Sequence, residues 1–305
     1  MIECVPNVSE GRNLAVIDAI VAEITAVPGV LLLHRTSDPD HNRSVITFAG
    51  PEEAVLEAAV RAAIKSAETI DLTRHKGIHP RLGSLDVLPF VPLGDTPLSN
   101  CIDIAHRAGE RIWLEAGVPV YFYEAAARQP GRIRLEDVRR GQFEGLREAV
   151  VLDETRQPDL GGPTLHPTAG AVIVGARKLL VAFNINLHTT DLSIAKDIAR
   201  AMRTSSGGFP AVKALGFPLP SRGQVQVSMN LTDFDQTPVH VAYQAVARLA
   251  AERGVEVAHS ELIGLIPRRA LEQAAAGLLK LTGFDSQRVI EARLETLQRK
   301  PPHLH

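Results

Sequence analysis

Apolar and polar residues alternate along this chain with two different periods, and the order in which those periods succeed one another occurs twice. In the first half, Ile2 to Val5 is a short apolar run that predicts a strand. Leu14, Val16, Ile17, Ile20, Val21 and Ile24 then recur at helical spacing until Gly29 ends the segment. Val30 to Arg35 and Ser44 to Ala49 read as strands, separated by the turn-forming run Ser37-Asp38-Pro39-Asp40-His41-Asn42. A helix opens at Pro51, which has no N–H to leave unpaired in a first turn. Glu52 and Glu53 lie at the positive end of its dipole, and it continues to Ile70. Leu85 to Val91 supplies a further strand.

The same order returns downstream. Leu179 to Leu187 predicts a strand, Asp191 to Met202 an amphipathic helix, and Val212 to Gly216 and Gln224 to Asn230 two strands. Pro238 opens a helix to Arg253, and Glu256 to Ile266 is the last strand. Both runs read β-α-β-β-α-β, the ferredoxin-like split pattern, so the expected class is α+β with two ferredoxin-like subdomains and a ligand cleft between them. Between the runs lie a helix from Leu98 to Ala116, a strand at Val118 to Tyr123 and an arginine-rich helical stretch from Arg132 to Arg147. The Gly- and Pro-rich segment Gln157 to Gly170 follows; it is too long for a default connection and is read as the boundary.

Composition narrows the function. The 305 residues carry 33 basic and 35 acidic side chains, a net charge of −2, so no global positive field draws in nucleic acid or an acidic membrane, and any anion must be held by local clustering. With aromatics at 4%, the core must be aliphatic and no stacking surface for single strands is expected. Cys4 and Cys101 are too few for a disulfide framework and are expected in the core of a protein from a reducing compartment. Glu3 stands where a secretory signal would be basic, and no apolar stretch approaches the roughly 20 residues that span a bilayer; a cytoplasmic location is expected.

Local clustering occurs at Arg74-His75-Lys76-Gly77-Ile78-His79-Pro80-Arg81. Neighbouring cations would keep His79 neutral and able to accept a proton, while Arg74, Lys76 and Arg81 could bind carboxylates; a solvated basic loop is the plainer reading. His75 and His79 have the spacing of two metal ligands on a helix, with His34 and His41 as candidates to complete a set. Gly77 and Pro80 oppose a helix there, and no Glu follows His75, so no metal is expected. In Asn7 to Arg12, the side chains of Asn7 and Ser9 and the backbone N–H groups could meet an anion, or Ser9 or Asn13 could cap the next helix. Asp38 to Arg43 reads as an Asx-type turn and Gly207-Gly208 as a mobile loop. The loop around His166 is the strongest ligand contact of this group.

Taken in order, CVPNVSEGR (4–12), DPDHNRSVITFAG (38–50), RHKGIHPRLGSLDVLPFVPL (74–93), GVPVYFY (117–123), GARKLLVAFNINL (175–187) and QVSMNLTDF (226–234) resemble the formiminotransferase family. The resemblance implies a transferase of one-carbon groups: a formimidoyl group moves from N-formimidoyl-L-glutamate to N5 of tetrahydrofolate, the acceptor substrate, late in histidine breakdown. It implies an N-terminal subdomain at 1–177, a C-terminal one at 178–305, a cytoplasmic homodimer, and no cyclodeaminase unit after the final PPHLH. Carried over by position, the catalytic histidine is His79. The folate loop is Gly161, Gly162, Pro163, Thr164, Leu165, His166, Pro167, Thr168, Ala169 and Gly170. Substrate carboxylates are then assigned to Lys76, Arg81, Arg43 and Asn7. The chain departs from the family pattern at Ile78, at His34-Arg35-Thr36, at Tyr123-Glu124-Ala125 and at Thr168-Ala169. The alternatives are a formyltransferase using formylglutamate, a metal-dependent hydrolase of formimidoylglutamate, and a folate-binding protein without catalysis.

Overall fold

The computed structural model describes residues 1–299. They divide into two compact units, Met1–Leu179 with Ile263–Leu265, and Leu180–Leu262 with the chain from Ile266 onward. The first unit runs β1 (Ile2–Cys4), β2 (Asn7–Val8), α1 (Leu14–Thr25), β3 (Leu31–Asp38), β4 (Arg43–Gly50), α2 (Glu52–Thr69), β5 (Leu85–Pro92), α3 (Leu98–Ala116), β6 (Val120–Glu124), α4 (Leu135–Val138), α5 (Gln142–Leu152) and β7 (Val172–Ala176).

β1 and β2 behave as one strand interrupted at Val5-Pro6, where proline has no N–H to give to a ladder. Each piece pairs antiparallel with β4 on one side and β5 on the other, and β3 continues the sheet beyond β4. The order β3-β4-(β1,β2)-β5 is the ferredoxin-like arrangement expected. The sheet then grows past it: β7 joins β5 and β6 joins β7, both in parallel. All five residues of β7 are buried, as a parallel strand covered on both faces requires.

The second unit runs β8 (Val181–Leu187), α6 (Leu192–Met202), β9 (Val212–Leu219), β10 (Gln224–Leu231), α7 (Val239–Ala251), β11 (Val257–Ile263), α8 (Arg268–Leu278) and α9 (Ile290–Arg299), with sheet order β11-β8-β10-β9. This is the same arrangement again. Each unit has its own core of buried apolar side chains. Both are built mainly from Ala, Val, Leu and Ile, with Phe48, Phe90 and Phe122 the largest rings sealed inside, and the thiols of Cys4 and Cys101 are buried and free. Among the described residues no helix is long and apolar enough to cross a membrane.

Three expectations change. The arginine-rich stretch is not one helix, because Gly141, at φ +90°, separates α4 from α5. Arg132 is buried, paired with Asp159 at 2.7 Å and stacked over the Tyr121 ring. The segment from Gln157 to Gly170 falls wholly inside the first unit and follows its surface: Val120 donates to Leu160 at 2.9 Å, and Gly161 lies against the face of Trp113. Gly208 is packed tightly, since a Cβ there would meet the Ala201 carbonyl at 2.4 Å, and so is not part of an open mobile loop. The terminal PPHLH segment, the end of the expected second subdomain, lies outside the described residues.

Candidate active site

β2 pairs with both β4 and β5, so Asn7 on β2, Arg43 at the start of β4 and Asp86 near the start of β5 come to one end of the first sheet. The loop that carries His75, His79 and Arg81 closes over this end. It can approach because residue 77 is glycine: a Cβ there would sit 2.3 Å from the His41 carbonyl oxygen. Gly11 permits the same closeness on the other side, where a Cβ would meet the Asp38 carbonyl at 2.3 Å. The result is a small pocket lined by Ser9, His41, Asn42, Arg43, His75, His79, Arg81 and Asp86.

At its centre is His79. Its Nε2 lies 2.8 Å from Arg43 Nη1, and its Nδ1 lies 2.8 Å from the Pro80 carbonyl oxygen. A guanidinium can only donate, so Nε2 must be the acceptor, and Nδ1 carries the proton and donates to Pro80. The ring is therefore a neutral imidazole with its basic lone pair on Nε2. Burial, and then the charges of Arg43, Arg139 and His41, hold its pKa well below 6.5. The His41 ring packs edge-on against it at 5.9 Å.

The cations around this ring are not equivalent. Arg81 grips Glu144 of α5 through both terminal nitrogens, at 2.9 and 2.6 Å, and its Nε donates to His75 Nδ1 at 3.0 Å. His75 Nε2 then donates to the Asn42 carbonyl at 2.9 Å. Arg81 thus organises the loop from within, although it was expected to meet a substrate carboxylate. Arg139 pairs with Asp86, whose other oxygen accepts the Leu82 N–H at 2.7 Å. Asn7 donates to the Val5 carbonyl at 2.8 Å and accepts from Arg43, so its amide aims the Arg43 guanidinium. Lys76 is exposed, and its ammonium has no ion pair among the described residues.

The NVSEGR turn is filled from inside. Glu10 Oε1 accepts from the amides of Gly11, Arg12 and Asn13 at 2.9, 2.7 and 2.9 Å, which closes the turn ahead of α1 and leaves those N–H groups no external anion to bind. Ser9 donates to the Gly83 carbonyl at 2.7 Å. Asp38 Oδ1 accepts the His41 N–H at 2.8 Å, the expected Asx-type turn. His75 and His79 each have both ring nitrogens in hydrogen bonds, and His34 on β3 does not line the pocket; no group of three or more metal-binding side chains occurs among the described residues.

Residues 161–170 are the loop expected to meet folate. His166 and Gly170 exchange backbone hydrogen bonds at 2.9 and 3.1 Å, and His166 Nδ1 accepts from the Ala169 N–H at 2.9 Å. Burial lowers the His166 pKa. Leu165 and Ala169 are buried, while Gly162, Pro163, Thr164 and Pro167 face outward. The loop is anchored to the segment that bears the histidines: Leu72 donates to the Thr168 carbonyl at 2.8 Å and Ser84 to the Ala169 carbonyl at 2.9 Å.

Asp86, Arg139 and Glu144 were not anticipated from the sequence. Asp86 did carry a signal, as the one charged residue in the apolar run Leu85 to Val91, since a buried charge in a strand requires a partner.

Comparison with known proteins matches the N-terminal subdomain of the formiminotransferase domain over residues 1–177 and the formiminotransferase domain over residues 182–292. Two relatives are called glutamate formimidoyltransferase. One, from Streptococcus pyogenes, is 44% identical over 95% of this chain and 97% of its own. The other, from Thermoplasma acidophilum, is 43% identical over 97% of each. The formimidoyltransferase-cyclodeaminase of Sus scrofa is 43% identical over 90% of this chain but only 52% of that longer protein. With both ferredoxin-like units and the histidine pocket covered by these matches, the chain belongs to the formiminotransferase family.

Proposed function

We propose that this protein is a glutamate formimidoyltransferase that moves the formimidoyl group of N-formimidoyl-L-glutamate to N5 of tetrahydrofolate, with His79 as the general acid–base. The observation that carries the reading is the neutral His79 imidazole, its Nδ1–H tied to Pro80 and its Nε2 directed into a pocket of cations. The names of relatives that match nearly the whole chain support the same activity.

In this mechanism N5 of tetrahydrofolate attacks the amidine carbon and forms a C–N bond. His79 Nε2 takes the N5 proton. As the bond from the former amidine carbon to the glutamate nitrogen breaks, His79 returns that proton to the departing amine. The products are glutamate and 5-formimidoyl-tetrahydrofolate, and no oxidant or metal enters the balance. A positioned acid–base group contributes about 10²–10⁴ in rate, and holding the two reactants together contributes at least as much. Arg43 and Lys76 receive substrate carboxylates, Asn7 orients Arg43, and Arg81 supports them by fixing His75. Gly161 to Gly170 receive the folate. The functional boundary is placed at residues 177/178, and the working form is a cytoplasmic homodimer.

A side-by-side spectroscopic assay of tetrahydrofolate with formimidoylglutamate and with formylglutamate tests this. The expected result is turnover of the formimidoyl donor, at least about 10²-fold slower in His79→Ala with the fold intact. Preference for formylglutamate, or tight tetrahydrofolate binding with no turnover of either donor, would replace the proposal with one of its alternatives.

A further inference from the structure

Four arginines of the first unit, Arg81 and Arg132 buried and Arg43 and Arg139 partly so, differ in one respect. Arg81, Arg132 and Arg139 each have a carboxylate partner, namely Glu144, Asp159 and Asp86, whereas Arg43 has none among the described residues. Its Nη1 donates to His79 Nε2, its Nη2 to Asn7 Oδ1, and its buried Nε meets no acceptor. A cation taken out of water and satisfied only by neutral acceptors is poorly compensated. Burial, then the charge of Arg139, lower its pKa to about 10. What the guanidinium lacks is an anion. At the same time His79 cannot act as a base in this arrangement, because the lone pair it would use is the one that Arg43 occupies.

We infer that Arg43 is a latch on His79 Nε2 which a substrate carboxylate opens. The inference rests on the transfer reaction proposed above and adds a trigger to it. A carboxylate offers two charged oxygens in the geometry of the guanidinium fork, and adds an attraction of opposite charges and a bidentate fit that the neutral imidazole nitrogen does not provide. A donor whose carboxylate docks on Arg43 therefore draws it from the imidazole and frees Nε2. The carboxylate also offsets the positive charge that opposes imidazolium formation. The groups that bear on His79 are Arg43 from β4, Arg139 after α4 and His41 between β3 and β4, with Asp86 and Asp38 acting on Arg43. The consequence is that the donor's carboxylate raises kcat as well as affinity, a case of remote binding energy expressed at the reacting atoms.

The test uses N-propylformamidine, which carries the formimidoyl group and no carboxylate, with tetrahydrofolate as acceptor and glutarate added separately. In the wild type, glutarate should raise kcat for this truncated donor at least about tenfold. Arg43→Ala should show no glutarate activation. Arg43→Lys should retain part of the activation. Nitrogen-15 NMR supplies a readout independent of turnover, with the His79 signal assigned by its loss in His79→Ala. Glutarate should raise the His79 pKa in the wild type and not in Arg43→Ala, whose His79 should already titrate at the higher value. An unchanged kcat and an unchanged His79 titration on adding glutarate to the wild type would overturn the latch. If formimidoylglutamate itself is not a donor, the reaction assignment fails instead, and the NMR titration still decides whether a carboxylate opens Arg43 from His79.

Discussion

The His79 imidazole owes its neutral state mostly to burial and to groups outside its own loop. The run of cations in residues 74 to 81 predicts a neutral imidazole, and the imidazole is neutral. Burial is the largest cause, however, and the charges that assist are those of Arg43 and Arg139, which come from elsewhere in the chain, while Arg81 is engaged with Glu144. The sign of the pH dependence follows. In the proposed mechanism the active form is the neutral one, and a pKa held well below 6.5 keeps that form dominant into mildly acid solution. The acid limb of kcat/KM should therefore fall well below pH 6.5, with no loss between pH 8 and 6.5 from this group. A rate profile that already halves at 6.5 or above would mean that some other group is the base.

At the scale of elements, the chain order β-α-β-β-α-β was legible because each strand and helix has its own period and Gly or Pro punctuates the joins. β7 was not, since Val172 to Ala176 is apolar throughout and follows a Gly- and Pro-rich segment, so no alternation marks it as a strand. Nor could the pairing of Arg139 with Asp86 be read, because partners 53 residues apart are joined only by the fold. The loop at 161–170 was singled out by its composition, but its anchorage depends on one backbone position. Gly170 has φ +72°, and a Cβ there would stand 2.1 Å from the Leu82 carbonyl oxygen. Gly170→Ala must shift the loop end or the histidine-bearing segment beneath it, and both changes act on the site. We expect it to cost about 2 kcal/mol or more in urea-monitored stability and to weaken tetrahydrofolate binding. A variant of wild-type stability with unchanged folate affinity would show that the loop does not depend on this contact.

For the molecule as a whole, the two separate cores imply that acid should not act evenly on the chain. His75, His79 and His166, the histidines whose pKa values burial lowers, all belong to the first unit. A histidine with a lowered folded pKa binds a proton more readily when unfolded. The unit therefore loses stability as pH falls from the ordinary value of 6.5 toward the lower folded values. Glu3, whose carboxyl burial raises from 4.5, works in the opposite direction nearer the acid end. In the second unit the shifted acids are Asp191, held low by Ser193, and Glu261, held low by Arg222 and its other hydrogen-bond partners against the opposing effect of burial. Depressed carboxylates stabilise above their unfolded pKa values of 3.8 and 4.5 and lose that contribution only as pH falls through the folded ones. Between pH 7 and 5, then, protection from hydrogen exchange should decrease in α2, β4 and β5 while β8 and β10 keep theirs. Mass-spectrometric exchange reads each element separately, so it does not require the two units to unfold in distinct transitions. Equal loss of protection in both sheets over that interval would show that the units unfold as one and that the histidine burden is shared by the whole chain.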